Sequence, residues 1–263
     1  MEHAIVKDPL IPIRFAPSDR SEMTDQILFG EFFQIFDEQG DWCFIKNKLN
    51  NYTGWINKKH RYTSVSDDEY RNRENLTKIT SKPLTIIEDE NCSNTLTIPG
   101  GSMLPNYREE NKSFHLGDEK YIIHTSTSDD KEDSKEQKIL SCAKQYLNAP
   151  YLWGGKTLLG MDCSGFVQVI FRMAGINIPR DSSEQVKYGE GVGFIDQAKP
   201  GDVAFFDNEE GNIIHTGILL NKQEIIHASG RVRIDLIDHQ GIYNKETHQY
   251  SHKLRIIKQF LTR

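Results

Sequence analysis

Near residue 125 the chain changes its hydrophobic period, and that change limits what it can fold into. Upstream, apolar residues come in short alternating runs, Gln26 to Phe36, Asp41 to Ile45 and Thr53 to Ile56, with turn formers between them. A period of two is a strand period, and runs this short and frequent make a small β-barrel over residues 12–62. A second group, Leu84 to Ile87, Asn94 to Ile98, Phe114 to Leu116 and Tyr121 to Ile123, follows a polar, helix-prone bridge and reads as another small barrel in tandem. From Thr125 to Lys138 the chain is polar and acidic, which marks a boundary. Beyond it the period lengthens. Ser134-Lys135-Glu136-Gln137 forms a capping box, and Ile139, Leu140, Ala143, Tyr146 and Leu147 share one helical face until Asn148 and Pro150 stop it. A second helix runs from Cys163 to Ala174 and ends at Gly175. Strands follow near Asp202–Phe206, Ile213–Leu220, Glu224–His227, Val232–Ile237 and Lys253–Leu261. Helices ahead of antiparallel strands make the fold class α+β, with domains at 1–64, 65–128 and 129–263.

Between the two predicted helices lie Tyr151-Leu152-Trp153-Gly154-Gly155 and then Met161-Asp162-Cys163-Ser164-Gly165-Phe166. Cys163 therefore stands where a glycine-rich loop enters a helix. Partial positive charge and unpaired N–H groups there favour thiolate over thiol and offer a donor to a developing oxyanion. Small neighbours leave the sulfur accessible. His215 and His227 each sit in a short β-branched run, with a turn near Asn221-Lys222 between them, so they fall on adjacent strands where they can share a face. A thiol needs a base, and the base needs a group that fixes its tautomer. Two histidines in series do both, and spacing does not say which does which.

Blander readings stand beside this one. A cysteine at a helix start is more often a packing residue, and one Cys with two His also suits zinc, although no fourth ligand or close ligand pair is evident. No metal or cofactor is expected. Tyr151 is a candidate oxyanion donor, while Trp153 stays open between core aromatic and site residue. Cys43 and Cys142 read as small core hydrophobes, and Cys92 lies in a polar turn with nothing to activate it. His3, His60, His115, His124, His239, His248 and His252 read as surface residues.

Composition narrows the partners. A chain of 263 residues with a net charge of −6 has no evident basic face for nucleic acid or an anionic membrane, and no run approaches the length of a membrane span. Residues Met1 to Pro9 lack the basic start and apolar core of a secretory signal, so a cytoplasmic monomer is expected.

The motifs together resemble one family, the NlpC-type cell-wall cysteine peptidases. The resemblance rests on Pro150 to Gly155, Asp162 to Phe166, Pro179-Arg180-Asp181-Ser182-Ser183-Glu184-Gln185, Lys199 to Phe206, His215 to Ile218 and Ile226 to Gly230, and covers residues 134–263. Thr216 departs from it, standing where the family usually has an apolar residue. The upstream half resembles the two bacterial SH3-like domains that precede this domain in γ-D-glutamyl-L-diamino acid endopeptidases. What the resemblance implies is a papain-like catalytic domain, with helices packed on an antiparallel sheet. Cys163 would be the nucleophile, His215 the base, His227 the third member and Tyr151 the oxyanion donor. The substrate would be a free murein tri- or tetrapeptide with an N-terminal L-Ala amine, cut between γ-D-Glu and diaminopimelate or Lys during wall-peptide recycling. Asp162 would hold that amine and Ser164 and Ser182 would touch substrate. Glu22, with Tyr52 or Trp55, would close the far end of the cleft. The alternatives are an exported endopeptidase acting on intact wall, a wall-binding protein without activity, and acyl transfer by the same thiol.

Overall fold

The first residues form a strand, because Ala4, Ile5 and Val6 all find cover: β1 (Glu2–Val6) lies between β4 (Phe32–Gln39) and β7 (Tyr62–Val65). The computed structural model describes residues 2–72, 77–90, 94–124 and 134–261 and divides the chain into two units, Met1–Lys131 and Glu132–Arg263. Cys92 and most of the acidic boundary stretch lie outside the described residues. In the first unit, β2 (Leu10–Arg14), β3 (Met23–Leu28), β5 (Trp42–Asn47) and β6 (Thr53–Asn57) complete a sheet ordered β3-β2-β6-β5-β4-β1-β7. Its alternate residues, among them Ile11, Ile13, Ile27, Phe33, Cys43, Ile45 and Ile56, form one core, so Cys43 is the packing residue expected of it.

After α1 (Asp67–Asn72) come β8 (Thr77–Ile79), β9 (Leu84–Asp89), β10 (Thr95–Pro99), β11 (Met103–Pro105), β12 (Ser113–Leu116) and β13 (Glu119–Ile123). They pair as β10-β9-β13-β12 and β11-β8. A core of Ile87, Ile98, Leu104, Phe114 and Tyr121 from this group also takes in Ile5, Phe29 and Phe32 from the first sheet. The two strand groups therefore share apolar cover.

In the second unit the capping box forms as the sequence dictates: Gln137 N–H donates to Ser134 Oγ at 3.2 Å and Ser134 N–H to Gln137 Oε1 at 2.9 Å. Helix α2 (Lys135–Gln145) buries Ile139, Cys142 and Ala143. Leu147 is exposed, contrary to the expected apolar face, because the helix has already been capped at Tyr146. The short pair β14 (Lys156–Thr157) and β15 (Gly160–Met161) precedes α3 (Cys163–Met173), and α4 (Ser182–Gln185) follows it. Then come β16 (Glu190–Val192), β17 (Val203–Asp207), β18 (Ile213–Leu219), β19 (Glu224–Ser229), β20 (Arg231–Ile237), β21 (Gly241–Asn244) and β22 (Gln249–Gln259).

These strands form one antiparallel sheet. Their order is β16-β22-β17-β18-β19-β20-β21, and β21 also pairs with β22, so the sheet closes on itself. The cause is β22, eleven residues long and out of register by a bulge against both β17 and β21. Bulges bend a strand, and the bent β22 serves two edges. Ala204, Phe206, Leu219, Ile225, Ile237, Ile242 and Ile257 fill the interior. Helix α3, buried along its whole length, lies on the outside against β18 and β19. Among the described residues no helix is long and apolar enough to cross a membrane.

Candidate active site

The start of α3 is held by Asp162. Its carboxylate Oδ1 accepts from Gly165 N–H at 2.7 Å, Arg180 Nη1 at 3.0 Å and Ser164 Oγ at 3.3 Å; Oδ2 accepts from Gly154 N–H at 2.8 Å and Arg180 Nη2 at 2.5 Å. An N-cap, a buried ion pair and a tie to the glycine loop thus meet on one side chain. Five donors share this carboxylate before any substrate arrives, more of them on Oδ1 than on Oδ2. Gly165 is needed here because a Cβ would lie 2.4 Å from Gly155 O, so loop and helix can touch only without a side chain. Arg180 also donates to Ser164 Oγ at 2.8 Å, and Gln185 Nε2 donates to Ser164 O at 3.0 Å and Pro179 O at 2.9 Å. Arg180 and Gln185 were quoted in the sequence motif without a role. Each is a polar side chain buried among its partners, which local pattern does not reveal.

Cys163 follows the cap and is itself buried, with the backbone N–H groups of Thr216 and Ser164 directed at its sulfur. The Thr216 contact brings β18 to the Cys163 sulfur, one residue from His215. On β18, residues 215, 217 and 219 face the interior with Leu219. The register Ile218↔Ile226 and Leu219↔Ile225 sets His227 across from Gly217 and diagonal to His215. A Cβ at Gly217 would meet His227 Cβ at 2.8 Å, so the glycine is what lets His227 lean over β18. His215 Nε2 and His227 Nδ1 are 2.8 Å apart, and His227 Nε2 lies 3.1 Å from Asp235 Oδ2 on β20. Arg233 closes the series, its Nε 2.6 Å from the same Asp235 oxygen.

His252, expected on the surface, instead stacks on His215 with ring centroids 4.0 Å apart and an angle of 22° between planes. The diagonal step from Leu254 on β22 puts it there, and the closure of the sheet was not visible in the sequence. His3 is a second correction: it stacks on Tyr70 and bonds to Asp67. His239 and His248 are exposed as expected. Among the described residues, no group of three or more His, Cys, Asp or Glu is arranged to hold a metal ion.

The protonation state also departs from expectation. Burial, with the charge of Asp162, pushes the Cys163 thiol up to about 11 against the pull of the two N–H groups. Burial, with His252 and His227, holds His215 well below the ordinary imidazole value. Both shifts favour the neutral forms, thiol and imidazole, because desolvation outweighs the helix-end field. Burial raises Tyr151 to about 12, which keeps its hydroxyl a donor at neutral pH. Tyr151 is 37% and Trp153 59% exposed, so Trp153 is no core residue. Ser182 opens α4, which packs on α3 and β18. Glu22, Tyr52 and Trp55 belong to the first unit: Glu22 is exposed ahead of β3, Tyr52 packs on the first core, and Trp55 lies 5.2 Å from Phe44.

A buried cysteine at a capped helix start, approached by a strand that carries one imidazole with a second behind it, is the arrangement of a cysteine peptidase. Residues 148–252 match the NlpC/P60 family and residues 13–60 match the bacterial dipeptidyl-peptidase Sh3 domain, so the chain carries an NlpC/P60 peptidase domain behind an SH3-like one. It is 29% identical over 236 residues to the gamma-D-glutamyl-L-lysine dipeptidyl-peptidase of Bacillus subtilis (strain 168), covering 84% of this chain and 78% of that one. It is 24% identical to dipeptidyl-peptidase 6 of Lysinibacillus sphaericus, over 90% of this chain and 93% of that one. The probable endopeptidase p60 of Listeria monocytogenes matches at 38% identity, over 39% of this chain and 21% of that protein. A crystal structure of an NlpC/P60 family protein from Bacillus cereus ATCC 10987 has the same fold, with a TM-score of 0.79, 19% identity and coverage of 99% of this chain and 100% of that one.

Proposed function

We propose that this peptidase hydrolyses the bond between γ-D-Glu and the diamino acid of free murein stem peptides and releases L-Ala-γ-D-Glu for recycling in the cytoplasm. The observation that carries this reading is the extent of the likeness. Two relatives named dipeptidyl-peptidases match across both units, whereas the match to the endopeptidase p60 is confined to 104 residues. A dipeptidyl-peptidase counts from a free amine, and burying an ammonium costs several kcal/mol, on the order of the loss for any unpaired charge, unless anions meet it. Asp162 supplies one, through Oδ2, its less subscribed oxygen. The same reading treats 1–64 and 65–128 as two SH3-like barrels ahead of a papain-like domain at 129–263.

The steps follow from the site. His215 Nδ1 takes the Cys163 proton as the sulfur attacks the γ-carbonyl carbon. Tyr151 Oη and the Cys163 N–H hold the oxyanion. The C–N bond then breaks, the diamino acid leaves with the proton from His215, and L-Ala-γ-D-Glu remains as a thioester. Water, deprotonated by His215, releases it and restores the thiol. Ser164 and Ser182 line the acyl side. The test compares L-Ala-γ-D-Glu-L-Lys and its diaminopimelate counterpart with their N-acetylated forms. Turnover of the free peptides with loss of at least about 100-fold in kcat/KM on acetylation, matching the about 3–5 kcal/mol cost of one unmet charge, is expected. Equal rates overturn amine recognition.

A further inference from the structure

We propose that Asp235 is a positioning residue that sets the direction of the imidazole relay and thereby leaves the lone pair of His215 on Nδ1, the nitrogen free to face Cys163. The inference rests on His215 being the base, as assigned above, and adds a member that none of the sequence motifs includes. It begins from geometry. His227 uses both ring nitrogens, Nδ1 at 2.8 Å from His215 Nε2 and Nε2 at 3.1 Å from Asp235 Oδ2, and His227 and Asp235 are each 1% exposed. No water reaches either bond to scramble it.

A neutral imidazole carries one proton, so two polarities of this chain are possible, and they differ in what reaches the sulfur. With His227 as the Nε2–H tautomer, its Nδ1 accepts from His215 Nε2–H and the His215 lone pair lies on Nδ1. With the reverse polarity His215 carries Nδ1–H and has no lone pair there for the thiol proton. An ionised carboxylate only accepts, so an ionised Asp235 permits the first polarity alone.

The surroundings keep Asp235 ionised. Arg233 on β20 places Nε 2.6 Å from Oδ2 and donates from Nη2 to Oδ1 at 3.0 Å; Lys245 N–H, beyond β21, donates to Oδ1 at 3.1 Å. Burial works against the charge, but these donors together with His227 hold the carboxyl well below the usual carboxylate range. The other charged or titratable groups facing this cluster are Glu246, which pairs with Arg233 Nη1 at 2.9 Å, His252 on β22, 6.1 Å from His227 between ring centroids, and His215 on β18. When His215 becomes imidazolium, the anion two bonds away also offsets its charge.

The test reads tautomers and rates separately. Two-bond 15N–1H spectra of the labelled full chain at neutral pH are expected to show His215 and His227 both as Nε2–H. Asp235→Leu is expected to mix the tautomers and lower kcat about 100-fold with KM within threefold, as for other removed orienting groups. Asp235→Glu should restore much of that rate. The basic limb of the kcat profile should move in Asp235→Leu, which loss of packing alone would not cause. A wild-type His227 found as Nδ1–H overturns the proposal, as does Asp235→Leu with unchanged tautomers and kcat within threefold. If Asp235→Leu does not fold, the wild-type spectrum decides alone. Full activity in His215→Ala would instead remove the base assignment, while the tautomer of His227 could still be read.

Discussion

Alkylation of Cys163 across pH separates a neutral thiol–imidazole pair from a preformed thiolate–imidazolium pair. With the thiol pushed to about 11 by burial and Asp162, the thiolate at pH 7 is about one part in 10⁴, against about one in 10² at the ordinary value of 9.0. The perturbation is a pH titration of iodoacetamide reactivity in the absence of substrate, with the modified residue located by mass spectrometry and Cys163→Ala as the blank. Only the thiolate reacts, so the rate constant is expected to rise about tenfold per pH unit from about pH 6 to about pH 10. At pH 7 it should lie about 100-fold below that of an unhindered thiol, and lower still where burial restricts access. An ion pair behaves differently, giving a plateau that begins below pH 5. A plateau through neutral pH would refute the desolvation reasoning and restore the thiolate expected from the helix start alone.

Three further outcomes follow from particular contacts. Gly217→Ala places a methyl 2.8 Å from His227 Cβ, so β19 must retreat by about half an ångström; kcat should fall about tenfold or more with the fold intact, read by steady-state kinetics and circular dichroism. Arg180→Met strands the Asp162 carboxylate, which should cost about 3–5 kcal/mol of stability by urea unfolding, with partial recovery in Asp162→Asn/Arg180→Met. His252 is lowered to about 4 by burial, so the unfolded chain binds a proton there that the folded chain does not; stability should be full above about 6.5 and fall as pH drops from there toward 4. The loss from this group is about 2–3 kcal/mol, and His252→Phe, which keeps the stacked ring, should flatten that limb of the melting temperature against pH.

What the sequence disclosed was decided locally. The Ser134 box needs only four residues, and it forms as read. The turn between β18 and β19 is short, so His215 and His227 meet through a hairpin that alternation already describes. Asp235 was hidden because Arg231 to Ile237 alternates on both faces, and nothing local says that 233 and 235 point inward; only pairing with β19 does. His252 and the closed sheet depend on the two bulges of β22, which follow from long-range packing rather than from its own residues. Arg180 looks like a surface cation until its partner 18 residues away is in place. The helix start argues for a thiolate, whereas burial, which the local pattern does not count, pushes the thiol up.

Mass spectrometry of the enzyme quenched in acid during turnover of L-Ala-γ-D-Glu-L-Lys tests the whole scheme most directly. An L-Ala-γ-D-Glu adduct on the peptide that contains Cys163, absent with the N-acetylated substrate and in Cys163→Ala, is the expected result. Steady product release by Cys163→Ala, or an acyl group on another residue, would contradict it.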